Sequence, residues 1–181
     1  MIVKSEERLV EAAQNGHLDS FATLYERYYN SMVALAYSML ADRHLAEDAA
    51  QQTFAIACSD LPKLKSKDKF SPWLAGICRN AARQMHRSKA RLVTLNEPPP
   101  AESENNRDNR SDAIRRAVWN LRAVYREPIT LRYYDNMPYE QIAKVLGISP
   151  QAVHGRLIRA KRKIAKYLKR SGFAGEDYGT V

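Results

Sequence analysis

The chain has 181 residues, enough for one ordinary domain or two small ones joined by a linker. Hydrophobic residues make up 45 % of it, which supports a packed core and excludes wholesale disorder. Lys and Arg number 29 against 20 Asp and Glu, and the formal charge of +9 favours polyanionic partners, nucleic acid before acidic membrane surfaces.

The N-terminus, Met1-Ile-Val-Lys-Ser-Glu-Glu, lacks the apolar core of a signal peptide, and no apolar stretch is long enough to span a membrane. The expectation is a cytoplasmic protein with no membrane insertion. Cys58 and Cys78 form no CxxC pair and read as reduced, buried thiols.

In chain order, Leu9, Ala12 and Ala13 begin a first helical stripe that ends near Asn15-Gly16. Phe21, Leu24, Tyr25, Tyr28, Met32, Leu35, Ala36 and Met39 recur at steps of three and four, the face of one long amphipathic helix. A third helix is expected from about Leu45 to Ala57, with Ala49, Ala50, Phe54 and Ile56 as core contacts. Residues 60–71 break the pattern with Pro62 and a cluster of lysines. A fourth helix is expected near Pro72, with Ser71 as its cap and Trp73, Leu74, Ile77, Cys78, Ala81 and Met85 along it. Trp73, beside Leu74 and Ile77, reads as a core residue rather than a stacking platform.

Residues 92–111 contain Pro98, Pro99 and Pro100 and then a polar run, the composition of a flexible linker with a stiff start. Charge is divided unevenly around it: residues 1–91 carry net +3, residues 92–111 net −2 and residues 112–181 net +8. Further helices are expected near 112–123, 126–134, 138–146 and 150–170. No segment shows sustained strand alternation. The fold class is therefore all-α: two small helical domains, 1–91 and 112–171, joined by a flexible linker and followed by a tail at 172–181.

The most informative stretch lies between Pro138 and Leu157. Ile142, Ala143 and Leu146 form the apolar face of a short helix, and Gly147 suits the left-handed residue that ends it. Ile148 plugs the turn into the core, Ser149 caps the next helix and Pro150 fits its first position. Val153 and Leu157 then face inward. This is the pattern of a helix-turn-helix, so the C-terminal domain is expected to place its last helix in a major groove. Gln151, His154 and Gly155 lie closest to base edges, and Gln can pair bidentately with adenine. Arg156, Arg159, Lys161, Arg162, Lys163, Lys166, Lys169 and Arg170 follow with no acidic residue among them, and suit phosphate contacts. A solvated helix end complementing its dipole would explain a few of these charges, not eight beside a complete turn signature.

On these residues the sequence resembles the extracytoplasmic-function (ECF) sigma factors of RNA polymerase. The resemblance rests on Tyr125-Arg-Glu-Pro-Ile-Thr-Leu-Arg-Tyr-Tyr, Tyr139-Glu-Gln-Ile-Ala and Val153 through Arg162 in the C-terminal domain. In the N-terminal domain it rests on Phe21-Ala-Thr-Leu-Tyr-Glu-Arg-Tyr, Ala46-Glu-Asp-Ala-Ala-Gln-Gln-Thr-Phe and Phe70-Ser-Pro-Trp-Leu-Ala-Gly-Ile-Cys-Arg-Asn.

The resemblance implies a sigma region 2 bundle at 1–91 and a sigma region 4 helix-turn-helix at 112–171. It implies that Glu47, Asp48, Gln51, Gln52 and Phe54 dock on core RNA polymerase. Family members often carry Glu at the position of Gln52. The loop at 60–71 and the following helix are implied to read and melt the minus-ten element, with Lys63, Lys65, Lys69, Asn80, Arg83 and Arg87 on DNA. Ser149, Gln151, Ala152, His154, Gly155, Arg156, Arg159 and Arg162 are implied to meet the minus-thirty-five element. The family often has hydroxyl residues where this chain has Ala152 and Gly155. The linker acids Glu97, Glu102, Glu104 and Asp108 either mimic RNA phosphates near the polymerase active centre or belong to a plain tether. An anti-sigma factor is an implied partner, alongside core polymerase and promoter DNA.

No catalytic, metal or cofactor constellation accompanies these motifs: His44 and Asp48 are half a metal site at most, and no glycine-rich phosphate loop is present. Two other classes fit parts of the pattern. A regulator with a LuxR-type output domain would need a strand-containing receiver or ligand domain, which residues 1–91 do not offer. A pure protein adaptor would bind no DNA.

Overall fold

The structure is a computed structural model; it describes the backbone of residues 5–95 and 109–173, and the side chains of residues 5–88 and 111–173. The linker prolines and acids, and the tail beyond Phe173, lie outside the described residues.

Eight α-helices make up the described chain, with no strand among the described residues: α1 Glu6–Gln14, α2 Leu18–Leu40, α3 Arg43–Asp60, α4 Phe70–Leu95, α5 Asn109–Trp119, α6 Ala123–Tyr134, α7 Tyr139–Leu146 and α8 Pro150–Arg170. Two 3₁₀ turns, Leu61–Lys63 and Lys67–Lys69, lead from α3 to α4.

Local chemistry sets most boundaries. Glu6 and Glu7 place negative charge in the first turn of α1, where the helix dipole favours it. Gly16, at φ +89°, makes the turn into α2. Ala41 ends α2 in the left-handed region, and the Asp42 carboxylate accepts the Leu45 amide to start α3. The starts of α3, α4, α5 and α6 each come two or three residues earlier than expected. α4 begins at Phe70 rather than Pro72 because the second 3₁₀ turn runs straight into it. Ser71 is consequently inside the helix, and its buried hydroxyl bonds Tyr28 and Glu6 instead of capping. α6 begins at Ala123, so Pro128 sits inside it, buried, at the loss of one backbone hydrogen bond. Arg126 secures this corner: its Nη1 donates to the carbonyls of Trp119 (2.8 Å) and Leu121 (3.2 Å), with the guanidinium 4.7 Å from the Trp119 ring. Burial holds its pKa below the usual arginine value.

The N-terminal bundle is α1–α4, packed around Leu24, Met32, Leu35, Leu61, Phe70 and Leu74. Its central helix departs from the amphipathic expectation: Ser31, Met32, Val33, Ala34, Leu35 and Ala36 are all buried. The reason is tertiary. α2 is flanked by α1, α3 and α4 and also by α6 of the C-terminal half. One apolar cluster therefore joins both halves, running from Leu9 and Val10 to Leu131, Ile142, Val153 and Leu157.

Polar and aromatic contacts fasten the same seam. Arg79 donates from Nε (3.2 Å) and Nη2 (3.0 Å) to the two carboxylate oxygens of Glu127. Ser31 Oγ donates to Asp135 at 2.9 Å, and the Tyr37 ring stacks on Tyr134 and meets Trp119 edge-on. Cys78 is buried behind this seam, where burial pushes its thiol up to about 11; Cys58, expected inside, is exposed on α3.

Candidate nucleic-acid interface

The turn between α7 and α8 is built as its sequence predicts. Gly147 takes φ +66°, and the Ile148 and Gly147 amides donate back to the carbonyls of Ala143 (3.0 Å) and Lys144 (3.2 Å). This is a Schellman end, closing the orphan carbonyls of α7. Ser149 Oγ accepts the Ala152 amide at 3.1 Å, and Pro150 opens α8. The turn aims α8 so that Val153, Leu157 and Ala160 are buried against the core.

The opposite face is left outward. Ser149, Gln151, His154, Arg159 and Arg162 are exposed, while Ala152, Gly155 and Arg156 are half-buried on its flanks. His154 leans on the Tyr139 ring, 5.9 Å between centroids, which ties this outward face to α7. A Cβ at Gly155 would meet nothing closer than Arg159, at 3.8 Å. Packing within the chain therefore places no demand for glycine there. Lys161 and Lys163 lie over the rings of Tyr133 and Tyr125, so part of the basic run is organised by cation–π contact.

On the N-terminal bundle, Asn80, Arg83 and Arg87 are exposed along one face of α4, and Arg83 Nη1 donates to Asn80 Oδ1 at 2.9 Å. Lys63, Lys65 and Lys69 project from the loop before α4. Lys63 pairs with Asp60 and Lys69 with Asp68, both exposed pairs of little energetic weight. Lys65 has no carboxylate partner among the described residues. Trp73 is half-buried against the core with its ring 5.9 Å from Phe70, as expected of a packing residue.

The α3 residues divide. Asp48, Gln51 and Gln52 are exposed on one face, and half-buried Glu47 pairs with Arg43 at 2.9 Å. Phe54 departs from the docking expectation. It is 3 % exposed and sits among Phe21, Tyr25 and Tyr29, because its position on the helix turns toward α2. Ile56, expected as a core contact, is instead the large apolar residue that α3 leaves exposed, because its position turns away from α2 and α4.

One group escaped the sequence reading altogether. Gln14 Nε2, on α1, donates to the Leu61 carbonyl (2.9 Å) and the Leu64 carbonyl (2.8 Å) across 47 and 50 residues of chain. Glu11 pairs with Lys67 of the same loop. No local pattern in the sequence signals a side chain bonding backbone so far away. Among the described residues no cluster of His, Cys, Asp and Glu could hold a metal ion, and no helix is long and apolar enough to cross a membrane.

The two-part helical architecture with its helix-turn-helix is that of a sigma factor. Residues 24–92 match the family described as Sigma-70 region 2, and residues 111–164 match that described as Sigma-70, region 4. The chain belongs to the sigma-70 family of RNA polymerase sigma factors, in its ECF group, and is a transcription initiation factor. It is 26 % identical to RNA polymerase sigma factor YlaC of Bacillus subtilis, over 86 % of this chain and 95 % of that one. It is likewise 26 % identical to ECF RNA polymerase sigma factor SigW of the same organism (88 % and 95 % covered). The ECF RNA polymerase sigma-E factor of Haemophilus influenzae is also 26 % identical (88 % and 93 % covered). Among solved structures, CnrH in complex with the cytosolic domain of CnrY superposes with a TM-score of 0.62 at 26 % identity, covering 92 % of this chain and 99 % of that one. RpoE from Bartonella quintana, in complex with the anti-sigma factor NepR, shares the fold with a TM-score of 0.55 at 24 % identity, over 82 % and 96 % of the two chains.

Proposed function

We propose that this chain binds core RNA polymerase through the exposed face of α3, formed by Glu47, Asp48, Gln51 and Gln52, with Ile56 rather than Phe54 as its apolar contact. In this reading it captures the minus-ten element with the 61–69 loop and with Asn80, Arg83 and Arg87, and assists melting there. Capturing an unstacked base needs polar edge contacts and backbone-holding cations, which these positions offer. α8 reads the minus-thirty-five element: Gln151 and His154 face base edges, while Arg156, Arg159 and Arg162 hold phosphates.

The observation that carries the proposal is the turn at residues 147–149. Its Schellman end and Ser149 cap turn Val153 and Leu157 into the core, and the same rotation leaves Gln151, His154 and Arg162 outward. An anti-sigma protein that holds the chain belongs to the same reading, supported by the likeness to CnrH, whose structure is a complex with the cytosolic domain of CnrY.

The test is in-vitro transcription by core polymerase from the source organism, with and without this chain, on the DNA upstream of its own gene. A discrete start site that appears only with the chain is expected. Gln151→Ala and Arg156→Ala should each reduce that transcript, and Asp48→Arg should weaken binding to core polymerase with the fold intact. No transcript and no polymerase binding by the wild-type chain would overturn the reading.

A further inference from the structure

We infer that α1, acting chiefly through Gln14, positions the 61–69 loop for its work on opened promoter DNA. The inference rests on the proposed reading of that loop as the minus-ten element's receptor, and it gives a role to a helix that lies before the matched region, residues 24–92.

The loop is tied to α1 at its entry, middle and exit. At the entry, the two N–H groups of the Gln14 amide are directed at the carbonyls of Leu61 and Leu64. The Leu64 amide itself donates to the Leu61 carbonyl at 3.0 Å, so Gln14 locks both ends of that turn. In the middle, Glu11 pairs with Lys67. At the exit, Ser71 Oγ donates to Glu6 Oε1 at 3.1 Å, and Tyr28 joins Glu6 and Ser71 from α2.

The consequence is directional. With the carbonyls of Leu61 and Leu64 taken from the α1 side, and the Leu61 side chain buried, Lys63, Lys65 and Lys69 are left exposed together. A loop holding a single strand must present its cations without first losing conformational freedom, because ordering it on binding subtracts from affinity. The Gln14 bonds place that ordering in the folded protein. They join polar side chain to backbone rather than apolar groups to each other, so they fix a conformation more than they add bulk stability.

The experiment uses the full chain with core polymerase on a promoter that the wild type opens, read by permanganate reactivity of thymines in the minus-ten region. Gln14→Leu keeps the bulk and removes both donors. It should reduce open complexes roughly tenfold, the loss expected of two hydrogen bonds, with core-polymerase affinity and minus-thirty-five duplex binding within about twofold of wild type. Gln14→Lys, which retains a donor, should recover most of the opening. Hydrogen exchange of the free protein should speed up at the amides of 61–69 in Gln14→Leu while α2 and α3 stay as they were. Wild-type opening by Gln14→Leu would overturn the inference, as would unchanged exchange in the loop or a defect that follows lost polymerase affinity in proportion. A wild-type chain that opens no promoter would instead remove the functional reading beneath it.

Discussion

The two halves of the chain solve the problem of small size differently. The N-terminal bundle closes on its own long helix, with Leu24, Met32, Leu35, Phe70 and Leu74 fully buried. The C-terminal half divides its apolar residues. Leu131, Ile142, Val153 and Leu157 join the N-terminal cluster, while Ala113, Ala117 and Leu168 form a separate contact between α5 and the end of α8. A bundle of short helices has little interior, and this one supplements it with the surface of α2 and α4. The half that carries α8 thus depends on the other half for part of its packing.

Truncating one core residue in each half tests that dependence with the largest expected effect. Phe70→Ala should cost about 3–5 kcal/mol, and Ile142→Ala about 2–5 kcal/mol. Hydrogen exchange should distinguish them. Phe70 anchors α4, on which α7 rests, so Phe70→Ala should speed exchange in α6 and α7 as well as in the N-terminal bundle. Ile142→Ala should speed exchange in α6–α8 and leave α1 and α3 near wild type. Equal confinement of both variants to their own halves would show two independent domains.

The polar seam offers a finer cut. The Arg79 and Glu127 side chains are 21 % and 15 % exposed, so their two-pronged pair is largely shielded from solvent. A double-mutant cycle with Arg79→Ala and Glu127→Ala should return a coupling of roughly 1.5–3 kcal/mol, the range for hydrogen bonds between charged groups. Either single variant should also raise the radius of gyration in small-angle scattering as the halves separate more often, and the double variant should raise it no further. A coupling near zero would assign the seam to its other contacts, the shared apolar cluster, the Tyr37 rings and the Ser31–Asp135 bond.

What the sequence makes legible follows from the range of the interactions. The end of α7 and the start of α8 are local: Gly147, Ser149 and Pro150 act within a few residues, and each stands where the pattern places it. The inward pair Val153 and Leu157 follows from periodicity alone. The burial of α2 on all sides over residues 31–36 is not local, because it requires α6, and the stripe of Phe21 to Met39 contains no trace of that second neighbour. Phe54 is ambiguous for a related reason. An aromatic residue beside exposed Gln51 and Gln52 suits a docking face or a core equally, and only the position of α2 decides. Gln14 is the extreme case, since a glutamine at the end of a short helix gives no sign of the carbonyls it will meet.

The smallest expected effect isolates one group at the seam. Burial raises the pKa of Asp135 above the ordinary aspartate value, partly offset by the hydrogen bond it accepts from Ser31. A carboxyl group with a raised folded-state pKa favours the folded, closed state fully below its unfolded value, near pH ~3.9, and loses that contribution as pH rises through its folded value. At neutral pH the charged form therefore stands against closure. Asp135→Asn keeps an oxygen for Ser31 and removes the charge, so it should stabilise the chain at pH 7 and give a progressively smaller advantage as the wild type becomes protonated. The check is the difference in unfolding free energy between the two proteins as a function of pH. Taking the difference cancels the other carboxylates, which titrate alike in both, and leaves a slope that belongs to this seam. A constant difference across that range would mean that Asp135 meets water in the folded chain as freely as in the unfolded one.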